Sequence, residues 1–274
     1  MHVSDVRDDL LAEQQALDDI VSALPDDAWA TPTPSPRWTV ADQIGHLAYF
    51  DHTAALAIAD PDEFTRSTQE LAAALAGDDE VGDTVTLGAF RAMTPSELLA
   101  AWRANRRELA ERSASLDDAT RVVWYGPSMG SKSFLTARLM ECWAHGQDVV
   151  DAVGAERPPT DRLRHIARLG FLTRGWSYVN RGLPVPDVEV RVELAAPSGD
   201  VWTLGPETAP ETIRGPAVDF CLVVTQRRHV DDTALVVDGD HAQDWMLRAQ
   251  AFAGAPTDGP DPRGDLGRDE VGRV

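Results

Sequence analysis

The chain has 274 residues, 43% of them hydrophobic, which is enough for a sizeable core in one large or two medium domains. Its 45 acidic residues outnumber the 25 basic ones and give a net charge of −20. This balance argues against nucleic-acid and anionic-membrane partners, because both are bound through basic patches.

The cysteine content and the N-terminal residues predict a cytoplasmic protein. Cys142 and Cys221 are too few for a disulfide framework, so a reducing compartment is expected. The first ten residues, "MHVSDVRDDL", lack the charged-then-apolar pattern of a secretory signal. No window approaches the roughly 18 uninterrupted apolar residues that would span a membrane.

The first third of the chain is predicted to form long helices. Apolar residues recur at nearly helical spacing over residues 3–24, and Pro25 ends that pattern. Thr39 and Asp42 have the spacing of an N-cap pair, which opens a second helix running to about Ile58.

Two more long helices follow a less regular stretch at residues 60–93, which favours only a short helix at 63–76 and a Gly/Asp-rich segment. Thr94 as the cap, Pro95 in the first turn and Glu97 completing the box mark a strong helix start. The segment "YGPSMGSKS" is turn-rich and leads into the last helix. Four long helices with one long crossover predict a four-helix bundle.

After the prolines at 158–159 the pattern changes to that of a smaller α/β domain. A helix is predicted at 160–179, then "DVEVRVEL" alternates apolar and charged residues like a half-exposed strand and continues through a turn into "VWTL". "PAVDFCLVVTQR" predicts a helix and "TALVVDG" a strand, and Asp240 with Gln243 caps a last helix to about Phe252.

These patterns together predict an α+β protein. We expect a four-helix bundle over residues 1–157 and a C-terminal α/β domain over residues 158–256. Residues 257–274 are rich in Gly, Pro and Asp and predict a disordered tail.

The helix "ARLMECWAHGQDVVDAVG" carries ionisable residues where a buried helix should be apolar. At about 100° per residue, Arg138, Glu141, His145 and Asp148 fall within one narrow stripe flanked by apolar residues. Such a row must face groups that offset the cost of burying charge.

Part of this stripe has the spacing of metal ligands. Glu141 and His145 lie one turn apart on the same face, and the facing helix "WTVADQIGHLAYF" offers His46 as a third ligand. His52 projects about 120° around that helix from His46 and is the poorer candidate. Two histidines and one glutamate leave a position open on a zinc-like ion, as catalytic sites do.

Structural roles fit the same residues. An E-x-x-x-H pattern is common on helices, so Glu141 and His145 equally fit an ion pair joined by Arg138. His46 equally fits a satisfied core histidine.

The neighbouring charged residues are candidate catalytic groups with similar alternatives. Arg138 is a candidate for binding an anionic substrate group or for neutralising the glutamate beside it. Asp148 is a candidate for holding the free ring nitrogen of His145, or an ordinary partner of an arginine. Asp42, one turn from His46, is a candidate acidic group or only the capping carboxylate.

Three segments, "MECWAHGQDVVDAVG", "WTVADQIGHLAYFD" and "PAVDFCLVVTQRR", resemble the mycothiol-dependent maleylpyruvate isomerase family within the DinB-like superfamily. The likeness includes that family's actinobacterial metal-binding subgroup of unassigned activity and extends to about residue 256. His46, Glu141 and His145 match the family's metal ligands. The resemblance implies a bundle that holds a divalent ion, usually zinc, a C-terminal domain that closes the site, and a thiol such as mycothiol as cosubstrate.

The leading hypothesis is therefore a metal-dependent enzyme that uses a low-molecular-weight thiol on a small electrophilic substrate. A free thiol with a pKa of about 8.5 is mostly protonated at neutral pH, and coordination would make it a thiolate. Attack on an electrophilic carbon then gives S-transfer, or isomerisation if the thiol is expelled after bond rotation. Tyr178, Arg181 and Arg227 are candidates for contacting the thiol's sugar or an anionic substrate, or are solvated partners of carboxylates.

Two alternatives remain open on the sequence. A hydrolase, lyase or biosynthetic tailoring enzyme would use the metal through activated water and need no thiol. A non-catalytic binding protein would use the bundle and the C-terminal domain to sequester a small apolar or metal-bearing ligand. The sequence indicates no oligomeric state.

Overall fold

The computed structural model describes residues 1–75 and 79–263. Its contacts divide the chain into two compact units, Met1–Arg157 and Pro158–Val274. The first is mainly helical and the second combines helices with a small sheet, which confirms the predicted α+β class. Among the described residues, none of the helices combines the length and the apolar character needed to cross a bilayer.

Four long helices build the first unit. They are α1 (Val3–Val21), α2 (Val40–Ala59), α5 (Pro95–Ser113) and α6 (Ser131–Val153), separated by the shorter α3 (Pro61–Leu75) and α4 (Asp79–Arg91). Helix α2 packs against both α5 and α6, and α6 packs against α1. The core of this bundle includes Leu17, Ile44, Trp102, Cys142 and Val149.

The helix starts follow the capping residues of the sequence. Thr39 caps α2 in a reciprocal box with Asp42, and Thr94 caps α5 in the same way with Glu97. Each box satisfies backbone N–H groups that have no partner within the helix, so the sequence prediction of these two starts is confirmed.

Three elements of the first unit were not predicted, one helix and the two strands of a hairpin. From Asp79 on, the stretch after α3 forms α4, because Leu87 and Phe90 pack against α2 where Gly45 leaves room; a Cβ at Gly45 would lie 3.1 Å from the Cβ of Phe90. The segment predicted as a turn-rich entry to α6 forms strand β2 (Gly126–Gly130), paired antiparallel with β1 (Arg121–Trp124). Tertiary packing in the first case and strand pairing in the second outweigh weak local propensities.

The second unit contains a four-stranded sheet in the order β4-β3-β5-β6. Its strands are β3 (Val190–Ala195), β4 (Val201–Leu204), β5 (Glu211–Pro216) and β6 (Val236–Asp238), and its helices are α7 (Leu163–Leu172), α8 (Arg174–Val179), α9 (Ala217–Val224) and α10 (Asp240–Arg248). Strands β3 and β4 form the predicted hairpin, and β3 pairs parallel with β5.

Three details of the second unit differ from the prediction. The helix expected at 160–179 is two helices broken at Thr173, and β5 was missed because "ETIRGP" carries turn-type residues. Helix α10 starts on Gly239 with φ 109°, so Asp240 is its first residue and not its cap. Glu211 accepts the N–H of Ala242 at 2.6 Å and so replaces a capping side chain.

Part of the predicted disordered tail, residues 264–274, lies outside the described residues. Before it, the backbone N–H of Arg263 donates to the carboxylate of Asp232 at 2.9 Å, and Thr257 Oγ1 donates to Gln226. These bonds attach residues 257–263 to the second unit.

Candidate metal centre

The structure brings together the three residues predicted as metal ligands. His46 comes from α2, and Glu141 and His145 come from consecutive turns of α6. Their ligand atoms all lie within 4.8 Å of one another. Glu141 Oε2 is 3.1 Å from His145 Nε2 and 3.5 Å from His46 Nε2.

The trio is partly accessible. The side chains of His46, Glu141 and His145 are 16%, 25% and 11% exposed. Protein therefore covers most of these side chains, and a small part of each remains in contact with solvent. Three protein ligands would leave a fourth position free on a zinc-like ion, as in catalytic sites.

Aromatic rings form two walls of the site. Trp38 stacks on His145 with ring centres 5.8 Å apart and lies 5.1 Å from His46, and Phe50 lies 4.6 Å from His46. The indole N–H of Trp38 donates to Asp83 at 3.2 Å. Helix α4, which the sequence did not predict, therefore orients a wall of the candidate site.

The surroundings set the charge state of two of the three candidate ligands. Burial, reinforced by the nearby His145, lowers the pKa of His46 to about 3, so its imidazole is neutral at pH 7. Burial by itself raises the pKa of Glu141, but hydrogen bonds and charge interactions with both histidines hold that pKa well below its usual value. A neutral imidazole and an ionised carboxylate are the forms that bind metal.

Arg138 is engaged away from the trio. Its guanidinium donates from Nη2 to Asp51 Oδ1 at 2.9 Å, and both side chains are almost fully buried. The other oxygen of Asp51 accepts from Gln14 Nε2 at 2.9 Å and from Trp102 Nε1 at 3.2 Å. Arg138 thus has a buried carboxylate partner, and its role toward substrate stays a prediction.

Asp51 was missed by the sequence reasoning although a signal existed. It stands seven residues after Ile44 and four after Leu47, on the apolar stripe of α2. A carboxylate at a core position of an amphipathic helix requires a buried partner, and Arg138 on the facing helix is that partner.

Asp148 lies beside His145 but is not its hydrogen-bond partner. Asp148 Oδ2 is 4.0 Å from His145 Nδ1 and accepts the hydroxyl of Ser35 at 3.0 Å. The ring nitrogen instead meets Gln43 Oε1 at 2.6 Å. Gln43 precedes His46 by three residues and so shares its helix face, which is the signal that could have identified it.

Asp42 is a capping residue in this structure. One of its oxygens accepts from the N–H and the hydroxyl of Thr39, both at 2.9 Å, and the other accepts from Arg91 Nε at 2.7 Å. These bonds match the capping alternative, and a catalytic role for Asp42 stays a prediction.

The three candidates for thiol binding lie in the second unit. Arg181 donates to the carbonyl of Ser177 at 2.8 Å and pairs with Asp258 at 3.6 Å. Arg227 donates to the carbonyl of Thr225 at 2.7 Å, and burial raises the pKa of Tyr178. Their roles stay predictions.

Comparison with known proteins matches both units. A family model described as the mycothiol maleylpyruvate isomerase N-terminal domain matches residues 10–150, and a model described as wyosine base formation matches residues 186–238. Uncharacterized proteins from two strains of Mycobacterium tuberculosis are each 46% identical over 248 residues, covering 90% of this chain and 95% of the relative.

Two crystal structures share the fold. They are of the mycothiol-dependent maleylpyruvate isomerase, at 14% identity, and of a histidine-to-alanine mutant of it, at 13%. Each aligns with a TM-score of 0.59 and covers 86% of this chain and 93% of the solved one.

Proposed function

The chain belongs to the mycothiol maleylpyruvate isomerase family, and from that premise we propose that it is a divalent-metal-dependent enzyme using a low-molecular-weight thiol of the mycothiol type. Its reaction is S-transfer to, or isomerisation of, a small electrophilic substrate. The observation that carries this proposal is the convergence of His46, Glu141 and His145, whose side chains are partly exposed.

The donor set fits a zinc-like ion. Two imidazole nitrogens and one carboxylate oxygen are the ligands of a well-known class of catalytic zinc sites, which keep a fourth position for water or substrate. Because the pKa of His46 is about 3, protons do not compete for that nitrogen at neutral pH.

The thiol must come from outside the chain. Cys142 follows Glu141 on α6, but its side chain is buried in the bundle core and burial raises the pKa of the thiol well above its usual value. A protonated, buried thiol is a poor nucleophile. A bound divalent ion would supply the Lewis acidity that keeps an external thiol deprotonated at neutral pH.

The protein's own residues shape the reaction space. Glu141 would bring one negative charge next to the candidate ion, and Trp38 and Phe50 pack against the His46 ring. Apolar walls strengthen electrostatic interactions within the site.

Metal stripping and reloading test the proposal. We expect the stripped protein to lose thiol conjugation of a generic electrophile and to regain it with zinc, and Glu141→Gln and His145→Ala to bind little metal. His52→Ala is a matched control, because His52 is on the same helix as His46 but is 55% exposed and paired with Glu108. If neither metal nor thiol changes activity or melting temperature, the proposal is wrong.

A thiol titration separates the proposal from the two alternatives. We expect mycothiol to bind the zinc-loaded wild type and to bind weakly to Glu141→Gln. A zinc-loaded protein that turns over a substrate without binding any thiol would be a hydrolase, lyase or tailoring enzyme. Capture of a small ligand with no turnover would indicate a binding protein.

A further inference from the structure

A chain of four polar groups leads from the loop before α2 to the candidate metal centre. The hydroxyl of Thr33 donates to the backbone carbonyl of Trp38 at 2.9 Å. Gln43 Nε2 donates to that same hydroxyl oxygen at 2.8 Å, and Gln43 Oε1 lies 2.6 Å from His145 Nδ1. The Gln43 side chain is fully buried.

The direction of this chain fixes a proton. A carbonyl oxygen can only accept, so the hydroxyl hydrogen of Thr33 points to Trp38 and its oxygen accepts from Gln43. The amide nitrogen of Gln43 must then face Thr33 and its oxygen must face His145. Since that oxygen can only accept, His145 Nδ1 carries the hydrogen. Reversing the amide of Gln43 would cost the bond between the Thr33 hydroxyl and Trp38.

We propose that Gln43 is a positioning residue, which holds the proton of His145 on Nδ1 and so presents the lone pair of Nε2 to the metal ion. The inference rests on the proposed function for the identity of the ion, but not for the position of the proton. Nε2 is the ring nitrogen that faces Glu141, at 3.1 Å from Oε2, and a bound ion would replace the hydrogen bond between these two atoms.

The structure selects Gln43 over the nearby carboxylate for this role. Asp148 Oδ2 is 4.0 Å from His145 Nδ1, beyond hydrogen-bond distance, and already accepts from Ser35. An amide partner orients the imidazole as a carboxylate would but adds no negative charge, so the ligand stays less basic than in a carboxylate–histidine–metal arrangement.

The experiment is NMR of the zinc-loaded protein labelled with ¹⁵N at histidine, together with a zinc competition titration. For the wild type we expect a slowly exchanging Nδ1–H and a zinc-shifted Nε2 on His145. Gln43→Met keeps the side-chain length but removes the acceptor. We expect it to lose the protected Nδ1–H signal and to weaken zinc binding by about 10- to 100-fold, as for other outer partners of metal ligands.

Two further variants separate positioning from folding. Gln43→Glu restores an acceptor for Nδ1–H while losing the bond to Thr33, so we expect the protected signal to return. Asp148→Asn is the matched control and is expected to leave both the signal and the zinc affinity unchanged. Circular dichroism and melting of the metal-free variants show whether they are folded.

Three results would overturn the inference. They are zinc bound through Nδ1 of His145, a Gln43→Met protein with the wild-type Nδ1–H signal and zinc affinity, and an Nδ1–H signal that is lost in Asp148→Asn but kept in Gln43→Met. A wild type that binds no zinc refutes the proposed function instead. The same spectrum of the metal-free protein then decides the inference, because the hydrogen-bond chain places the proton on Nδ1 with or without the ion.

Discussion

Replacing Asp51 by asparagine should destabilise the bundle far more than its single-atom change in shape suggests. The side chains of Asp51 and Arg138 are 2% and 3% exposed, so the substitution leaves a guanidinium charge buried without its counter-ion. Breaking a buried pair by removing one partner costs about 3–5 kcal/mol. The new amide would keep one acceptor oxygen, for which Gln14, Trp102 and Arg138 would then compete.

Amide hydrogen exchange in α2 is a suitable assay, because it reports the free energy of opening for the unit that contains the pair. Asp8→Asn is the control. Asp8 pairs with Arg7 at 3.2 Å but is 67% exposed, and exposed pairs contribute about 0–1 kcal/mol. A double replacement, Asp51→Leu with Arg138→Met, should recover part of the loss, since it removes the uncompensated charge but leaves the donors of Gln14 and Trp102 without an acceptor.

The result that would refute this reasoning is a loss below about 1 kcal/mol for Asp51→Asn, equal to that of the exposed control. The guanidinium of Arg138 would then reach water or another anion, and its pairing with Asp51 would contribute little to the packing of α2 against α6. A double variant with the same stability as the wild type would point to the same conclusion.

Three other predictions concern the ion, pH and packing. Zinc at about 100 times its dissociation constant should raise the free energy of unfolding of the wild type by about 2.7 kcal/mol and leave that of Glu141→Gln unchanged. Thermal melting measures this difference, and equal shifts in the two proteins would place the ion elsewhere. The pKa of His46 is about 3 in the folded protein, against a reference value of 6.5. Between these pH values the unfolded chain binds a proton that the folded protein does not, so the metal-free protein should gain stability as pH rises from about 3 to 6.5. A His46→Gln variant with the same pH dependence in denaturant titrations would contradict this cause. Gly45→Ala should destabilise the protein by about 1–3 kcal/mol, because the new Cβ would lie 3.1 Å from Phe90. In Gly88→Ala the new Cβ would meet nothing within 4 Å, so this variant should stabilise α4. Equal melting shifts for the two variants would refute the packing argument.

The parts of the fold that the sequence predicted are those with a local physical signal. Thr39 and Thr94 identify their helix starts because a capping box involves only four consecutive residues. Helix α4 and strand β5 were missed because their stability comes from partners far along the chain: Phe90 against α2, and β5 between β3 and β6. Short or glycine-containing segments of this kind carry little intrinsic preference.

The candidate site likewise has residues that the sequence predicted and residues that it did not. Helical spacing alone placed Glu141 and His145 on one face, and the choice of His46 over His52 followed from the angle around α2. The partners of the stripe were harder to predict, because Gln43 and Asp51 become recognisable only once α2 faces α6 in a defined register. Spacing within one helix is readable from a sequence, and register between helices is not.

The polar stripe of α6 is stable because each of its four ionisable groups meets a different partner. Three of these partners lie on α2 and one on the loop before it; the pairs are Arg138 with Asp51, Glu141 with His46, His145 with Gln43, and Asp148 with Ser35. The outer two pairs join residues outside the trio, and the middle two bring the nitrogen and oxygen ligand atoms of His46, Glu141 and His145 within 4.8 Å of one another. A divalent ion between them would therefore add to a bundle whose buried charges are already compensated. We expect the metal-free protein to keep its helices by far-ultraviolet circular dichroism; unfolding by a chelator would instead assign the ion to the structural class, in which metal binding is itself the folding free energy.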